Sequence, residues 1–171
     1  DIDNIYEVSV LADDGAGSVT PQTIQVTVTD VEAPSVESVI ADDDAETGCT
    51  TSCQRSMVRK LTVTFDSDVT IGSGAFCLTN TTTGVTFVIV DADVATSVVG
   101  GKTEAVLTFT NSTTGILADS LADGRYTLTI DATKIKTGGE EMAANHVDSF
   151  FRFFGDKDGD GDVDNRDYAF F

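Results

Sequence analysis

Apolar residues recur at every second position through most of this chain, and that period predicts strands. Tyr6, Val8 and Val10 alternate with Glu7 and Ser9, and Ile24, Val26 and Val28 alternate with Gln25 and Thr27, so each run is expected to be a half-buried strand. Asp13, Asp14, Gly15 and Gly17 between them carry turn chemistry. Two strands cannot bury a face alone, so residues 1–34 are expected to be the remnant of a larger β-unit. Pro34 forces its predecessor toward an extended conformation and marks a module boundary.

The alternation then returns over residues 35–154, with strands predicted at 36–41, 57–65, 75–79, 85–91, 104–110, 125–130 and 149–154. Leu61, Val63 and Phe65 are placed toward a core, as are Ala105, Leu107 and Phe109, and Tyr126, Leu128 and Ile130. The opposite faces are mostly Thr, a β-branched polar residue suited to a wet, pleated surface. Gly, Asn, Asp and Ser clusters separate the runs and no convincing amphipathic helix intervenes, which predicts an all-β fold, an antiparallel β-sandwich. The last run, F-F-R-F-F at 150–154, has aromatics on both faces. One set is expected in the core and the other beneath the acidic segment that comes next.

That segment breaks the pattern. Residues 155–171 read G-D-K-D-G-D-G-D-V-D-N-R-D-Y-A-F-F. Asp156, Asp158, Asp160, Asp162, Asp164 and Asp167 fall at loop positions 1, 3, 5, 7, 9 and 12, with Gly161 at position 6, which is the oxygen-ligand schedule of a calcium loop. Ca2+ is a hard cation that takes several oxygens, and alternate aspartates in a tight loop supply them. Position 7 needs only a backbone carbonyl, so Asp162 is expected to add charge more than a ligating carboxylate, while Asp164 commonly acts through water. Val163 is the apolar residue expected to turn inward and anchor the loop. Without a cation these aspartates repel one another, so an ion should order the loop.

Composition narrows the partners. The 171 residues carry a net charge of -19 and a pI near 4.1, which repels phosphate backbones and anionic headgroups and favours divalent cations. Nucleic acid is therefore not an expected partner, and no apolar run is long enough to insert in a membrane. The absence of a signal peptide is read as a cut from a longer chain. Cys49 and Cys53 are spaced for a small disulfide ring, and Cys77 points away from the side taken by Phe76 and Leu78. Zinc would need ligands beyond Cys77 and the lone His146. A second acidic cluster, Asp42 to Asp44 with Glu46, lacks the alternate spacing that converges on one ion and reads as a solvated loop.

Three resemblances sit on these residues. The order Y-E-V-S-V-L-A-D-D-G-A-G, then V-T-V-T-D-V, then A-P resembles the last strands and exit linker of a cadherin-like repeat, in which Asp30 matches one calcium ligand. The order L-T-V-T-F-D-S-D-V, G-A-F-C-L-T, V-L-T-F-T and D-G-R-Y-T-L-T-I resembles bacterial immunoglobulin-like domains, which implies a spacer or adhesive role and brings no catalytic residue. The terminal loop follows a strand where an EF-hand has a helix, so it is half of an EF-hand, and it resembles a single dockerin-type calcium repeat, which implies Asp156, Asp158, Asp160, Asp164 and Asp167 as side-chain ligands. No H-E-x-x-H, no G-x-S-x-G elbow and no Gly-rich phosphate loop occurs, so no enzyme activity is expected. The expectation is a non-catalytic, calcium-binding region of a large modular secreted or cell-surface bacterial protein with an adhesion or spacer role. The alternative is a docking module that binds a cohesin-like partner or another surface protein.

Overall fold

The two-residue period becomes antiparallel sheet over most of the described runs that carry it. A computed structural model describes residues 5–13, 15–17, 19–28, 30–42, 57–111, 115–117, 119–156 and 160–168. The strands are β1 (Ile5–Asp13), β2 (Val19–Thr27), β3 (Val36–Asp42), β4 (Lys60–Phe65), β5 (Thr70–Ile71), β6 (Phe76–Asn80), β7 (Val85–Val88) and β8 (Val94–Val99). They continue with β9 (Lys102–Thr108), β10 (Ile116–Leu117), β11 (Ser120–Leu121), β12 (Gly124–Ile130), β13 (Ile135–Thr137), β14 (Glu140–Glu141) and β15 (His146–Arg152). The single α-helix among the described residues, α1, is the short Asn165–Tyr168. The chain is therefore all-β, and no described helix is long and apolar enough to cross a membrane. It forms two compact units, Asp1–Glu32 and Ala33–Phe171, and the acidic loop belongs to the second.

In the first unit β1 and β2 form one hairpin, with Tyr6 opposite Val26 and Val8 opposite Ile24. The apolar face expected to be the buried side of each half-buried strand stays about half exposed, Tyr6 at 50% and Val26 at 45%. The reason is geometric: within a two-stranded unit each side chain packs only on its cross-strand neighbour.

In the second unit one four-stranded sheet runs β3-β4-β9-β8 and another runs β15-β12-β6-β7, with a smaller sheet in the order β14-β13-β5 and a β10-β11 pair. The alternation sorts side chains as expected: Leu61, Val63 and Phe65 of β4, Ala105 and Leu107 of β9, and Tyr126, Leu128 and Ile130 of β12 all join one buried cluster. Leu61 pairs with Leu107 in the first sheet, and Leu128 with Leu78 in the second. Tyr126 stacks on Phe150 at 5.4 Å between ring centres, and its hydroxyl donates to the Ala122 carbonyl at 2.7 Å, so the one polar atom of this buried ring is satisfied.

Several boundaries differ from expectation. Residues 57–59 precede β4 without joining it; Val58 is nevertheless fully buried, held by its N–H to Ser120 Oγ and its carbonyl from Leu121 N–H. The run expected at 85–91 stops at Val88, and 91–93 forms a 3-10 turn fastened by the buried Asp93, whose carboxylate accepts from Thr110 Oγ1 and from the backbone and side chain of Asn111. Strand β8 was not expected. It is an edge strand exposed from Ala95 onward, so it has no buried stripe to betray it, but it meets β9 through Gly100 and Gly101, both at positive φ as a tight hairpin requires. Cys77 carries a free, partly exposed thiol, while Phe76 and Leu78 beside it are buried; Cys49 and Cys53 lie outside the described residues.

Candidate metal centre

The acidic loop leaves the sheet at the end of β15, where two arginines and an aspartate organise the exit. Gly124 faces Arg152 and Arg125 faces Phe151 across β12 and β15. Arg152, buried, forms an ion pair with Asp123, and the Phe154 N–H donates to the same carboxylate at 2.8 Å. Gly124 has its φ at +153° and lies so close to Asn80 that a Cβ there would come within 2.5 Å of Nδ2. The D-G-R-Y corner thus closes on the side chain of Asn80, which holds the Asp123 carbonyl through Nδ2 and the Thr82 and Thr83 amides through Oδ1.

Within the loop, Asp156 is fully buried and its Oδ2 accepts from the Gly161 N–H at 3.0 Å. Gly161 has φ +88°, in the left-handed region that only glycine adopts without strain. Asp160 Oδ1 accepts from the Asp162 N–H at 3.2 Å, and Arg166 approaches its other oxygen at 4.0 Å. Asp164 Oδ1 accepts from Arg166 N–H and Asp167 Oδ2 from Asp164 N–H, each at 2.7 Å. These turns fold the segment back on itself, and α1 carries Asp167 into a buried position.

Among the described residues one carboxylate group has metal-binding spacing: Asp162, Asp164 and Asp167 each present an oxygen within 4.8 Å of the other two. Asp156 and Asp160 are not members of that group, and Asp158 lies outside the described residues. Asp162, expected to contribute charge more than a ligating carboxylate, brings its carboxylate into the group. Three oxygens at this spacing, one on a buried side chain, are a hard-donor set of the kind calcium takes. Elsewhere, Asp30 is exposed on its own unit and belongs to no such group, and the side chains of Asp42, Asp43, Asp44 and Glu46 are not described.

Val163, expected to be the inward anchor, is 44% exposed. The loop is instead seated through its backbone: Arg125 Nη2 donates to the Gly161 carbonyl at 2.9 Å, and a Cβ on Gly161 would lie 3.5 Å from the Phe151 ring. A side chain at position 8 is not needed inward when a guanidinium and a ring already cover the floor of the loop. Phe151 and Phe153 are the second aromatic set of the F-F-R-F-F run, half-buried and stacked at 6.0 Å. Arg125 is a residue that sequence reasoning missed. Its one signal is an arginine among threonines, at an outward position two residues past Asp123.

Neither the family models nor the curated proteins compared with the chain match it. Function must therefore rest on the residues themselves.

Proposed function

We propose that the loop of residues 156–167 binds calcium at one end of an immunoglobulin-like β-sandwich, within a non-catalytic region of a larger modular secreted or surface bacterial protein that serves adhesion or spacing. The observation that carries the calcium reading is the convergence of Asp162, Asp164 and Asp167, whose oxygens lie within 4.8 Å of one another with Asp167 buried. Such an arrangement concentrates negative charge at a cost that a divalent cation offsets. Asp156 and Asp160 accept from the Gly161 and Asp162 amides of the same loop, and Ca2+ would neutralise the acidic group and fix these turns. The sandwich reading is supported by two four-stranded sheets sharing one core and by the Tyr126 hydroxyl bound back to the Ala122 carbonyl, a corner that recurs in immunoglobulin-like folds. The secreted, adhesive setting rests on the family resemblances and on the acidic, threonine-rich composition. The docking alternative rests on the resemblance of the loop to a dockerin-type repeat and on α1, which begins within the last positions of the loop and exposes Tyr168.

Calorimetric titration of chelator-stripped protein with calcium tests the metal reading. Saturable uptake is expected, weakened at least about tenfold by Asp167→Asn and by Asp162→Asn. Protein that takes up no calcium in a saturable manner would sink it. Uptake with Asp162→Asn unaffected would return position 7 to its backbone carbonyl.

A further inference from the structure

The loop is not merely appended to the sheet. Asp156 holds the N–H of Gly161 and Arg125 holds its carbonyl, at 3.0 and 2.9 Å respectively. One residue of the loop is thus bonded on one side to a carboxylate of the loop and on the other to a cation of the sheet. Arg125 is itself fixed, since its guanidinium lies over the Phe153 ring at 5.7 Å and its backbone pairs with Phe151 across β12 and β15. A charged donor to a carbonyl that is itself part of a hydrogen-bonded chain is among the stronger single contacts a surface can offer. Gly161 is buried, and glycine at this position lets the backbone lie within contact distance of both Arg125 and Phe151.

We propose that Arg125 is a positioning residue that joins the loop and the β12–β15 pair into one cooperative unit, so that cation binding in the loop stabilises the sheet and not the loop alone. The inference rests on the proposed calcium site. Its physical basis is linkage: a ligand stabilises whatever unfolds together with its site, and nothing beyond. If opening β15 tears Gly161 from Arg125, every opening of β15 also costs the bound ion. If the loop is independent, the ion protects only its own turns. Arg125 also suits the role in charge, because it is a cation that meets the acidic loop at the Gly161 carbonyl.

Amide exchange on the whole chain, with calcium and with chelator, tests the proposal beside calorimetry on the same samples. In the native protein, calcium is expected to slow exchange in residues 146–152 and 124–130 by about tenfold or more. In Arg125→Met, which keeps the stem but removes the donor, calorimetry still shows calcium uptake, while the slowing shrinks to less than about twofold outside residues 156–167. Arg125→Lys, which keeps a donor for the Gly161 carbonyl, retains the spread into the sheet. Slowing confined to the loop in the native protein, despite measured uptake, would overturn the coupling. So would full slowing of 146–152 in Arg125→Met, or a lysine variant as uncoupled as the methionine one. Absence of calcium uptake in the native protein overturns the calcium reading and this inference with it, an outcome that calorimetry distinguishes from the others.

Discussion

Tyr6-Glu7-Val8-Ser9-Val10 and Tyr126-Thr127-Leu128-Thr129-Ile130 are written in the same alternation, and they end in opposite surroundings. Tyr6 is 50% exposed, and its neighbours on the same face lie open beside it. Tyr126 is 1% exposed, stacked on Phe150, with Leu128 and Ile130 fully buried behind it. Both segments form paired antiparallel strands. The period of the sequence therefore specifies the pleat, and cover is specified separately, by how many other apolar faces the same unit brings to it. Strand β12 lies between β15 and β6 and faces a core shared with β4 and β9; among the described residues of its own unit, β1 pairs with β2 alone.

The sharpest way to break the comparison is to truncate equivalent positions. Leu128→Ala is expected to cost about 2–5 kcal/mol through lost burial and the cavity left behind, while Val8→Ala costs less than about 0.5 kcal/mol. Thermal unfolding followed by circular dichroism would compare the two, and similar losses would mean that the hairpin is covered after all. A smaller effect is expected at the corner that begins β12. Gly124→Ala places a methyl group against Asn80 at a φ of +153°, which is expected to destabilise the second unit by about 2–3 kcal/mol in denaturant titration. Gly15→Ala in the hairpin turn, where nothing lies within 4 Å of the added Cβ, meets only the cost of its own positive φ.

The smallest effect is one of charge, and it also separates the units. Burial pushes the Asp93 carboxyl up, but bonds from Thr110, Asn111 and Thr108 outweigh that penalty and hold it below its usual value of 3.8. A depressed carboxyl contributes stability that is present above the unfolded value and lost as pH falls through the folded one. Asp66, whose burial penalty is likewise outweighed by bonds from Ser35 and Ser67, acts in the same direction. The melting temperature of the second unit is thus expected to fall as pH drops below about 4. Asp93→Asn is expected to lose about 1 kcal/mol at neutral pH and to show a shallower acid slope. Equal slopes for the two proteins would remove Asp93 from the account.

How far the sequence could be read depends on the same division between pattern and cover. Strands with one buried face, such as β4, β9 and β12, announce themselves because apolar residues recur at every second position. Of the acidic loop, the approach of Asp164 to Asp167 was legible in their spacing. Strand β8 was not, since V-A-T-S-V-V lies at an edge with no face to bury; Gly100 and Gly101 were the available clue. The exposure of Val163 and the reach of Arg125 were invisible for another reason. Both depend on which residues of β12 and β15 stand opposite one another, and register is a property of two segments that no single run of sequence contains.

The seat beneath the loop has a consequence for the order of assembly. Its parts come from different strands: Arg125 from β12, Phe151 from β15 and Phe153 just past it. Strand β12 pairs with β6, far upstream, through Thr127 and Thr79, and with β15 through Thr127 and Ser149. Such long-range pairings are the slow part of forming a sheet. The surface that receives the loop therefore exists only once β12 and β15 are paired, and a seated loop reports that pairing.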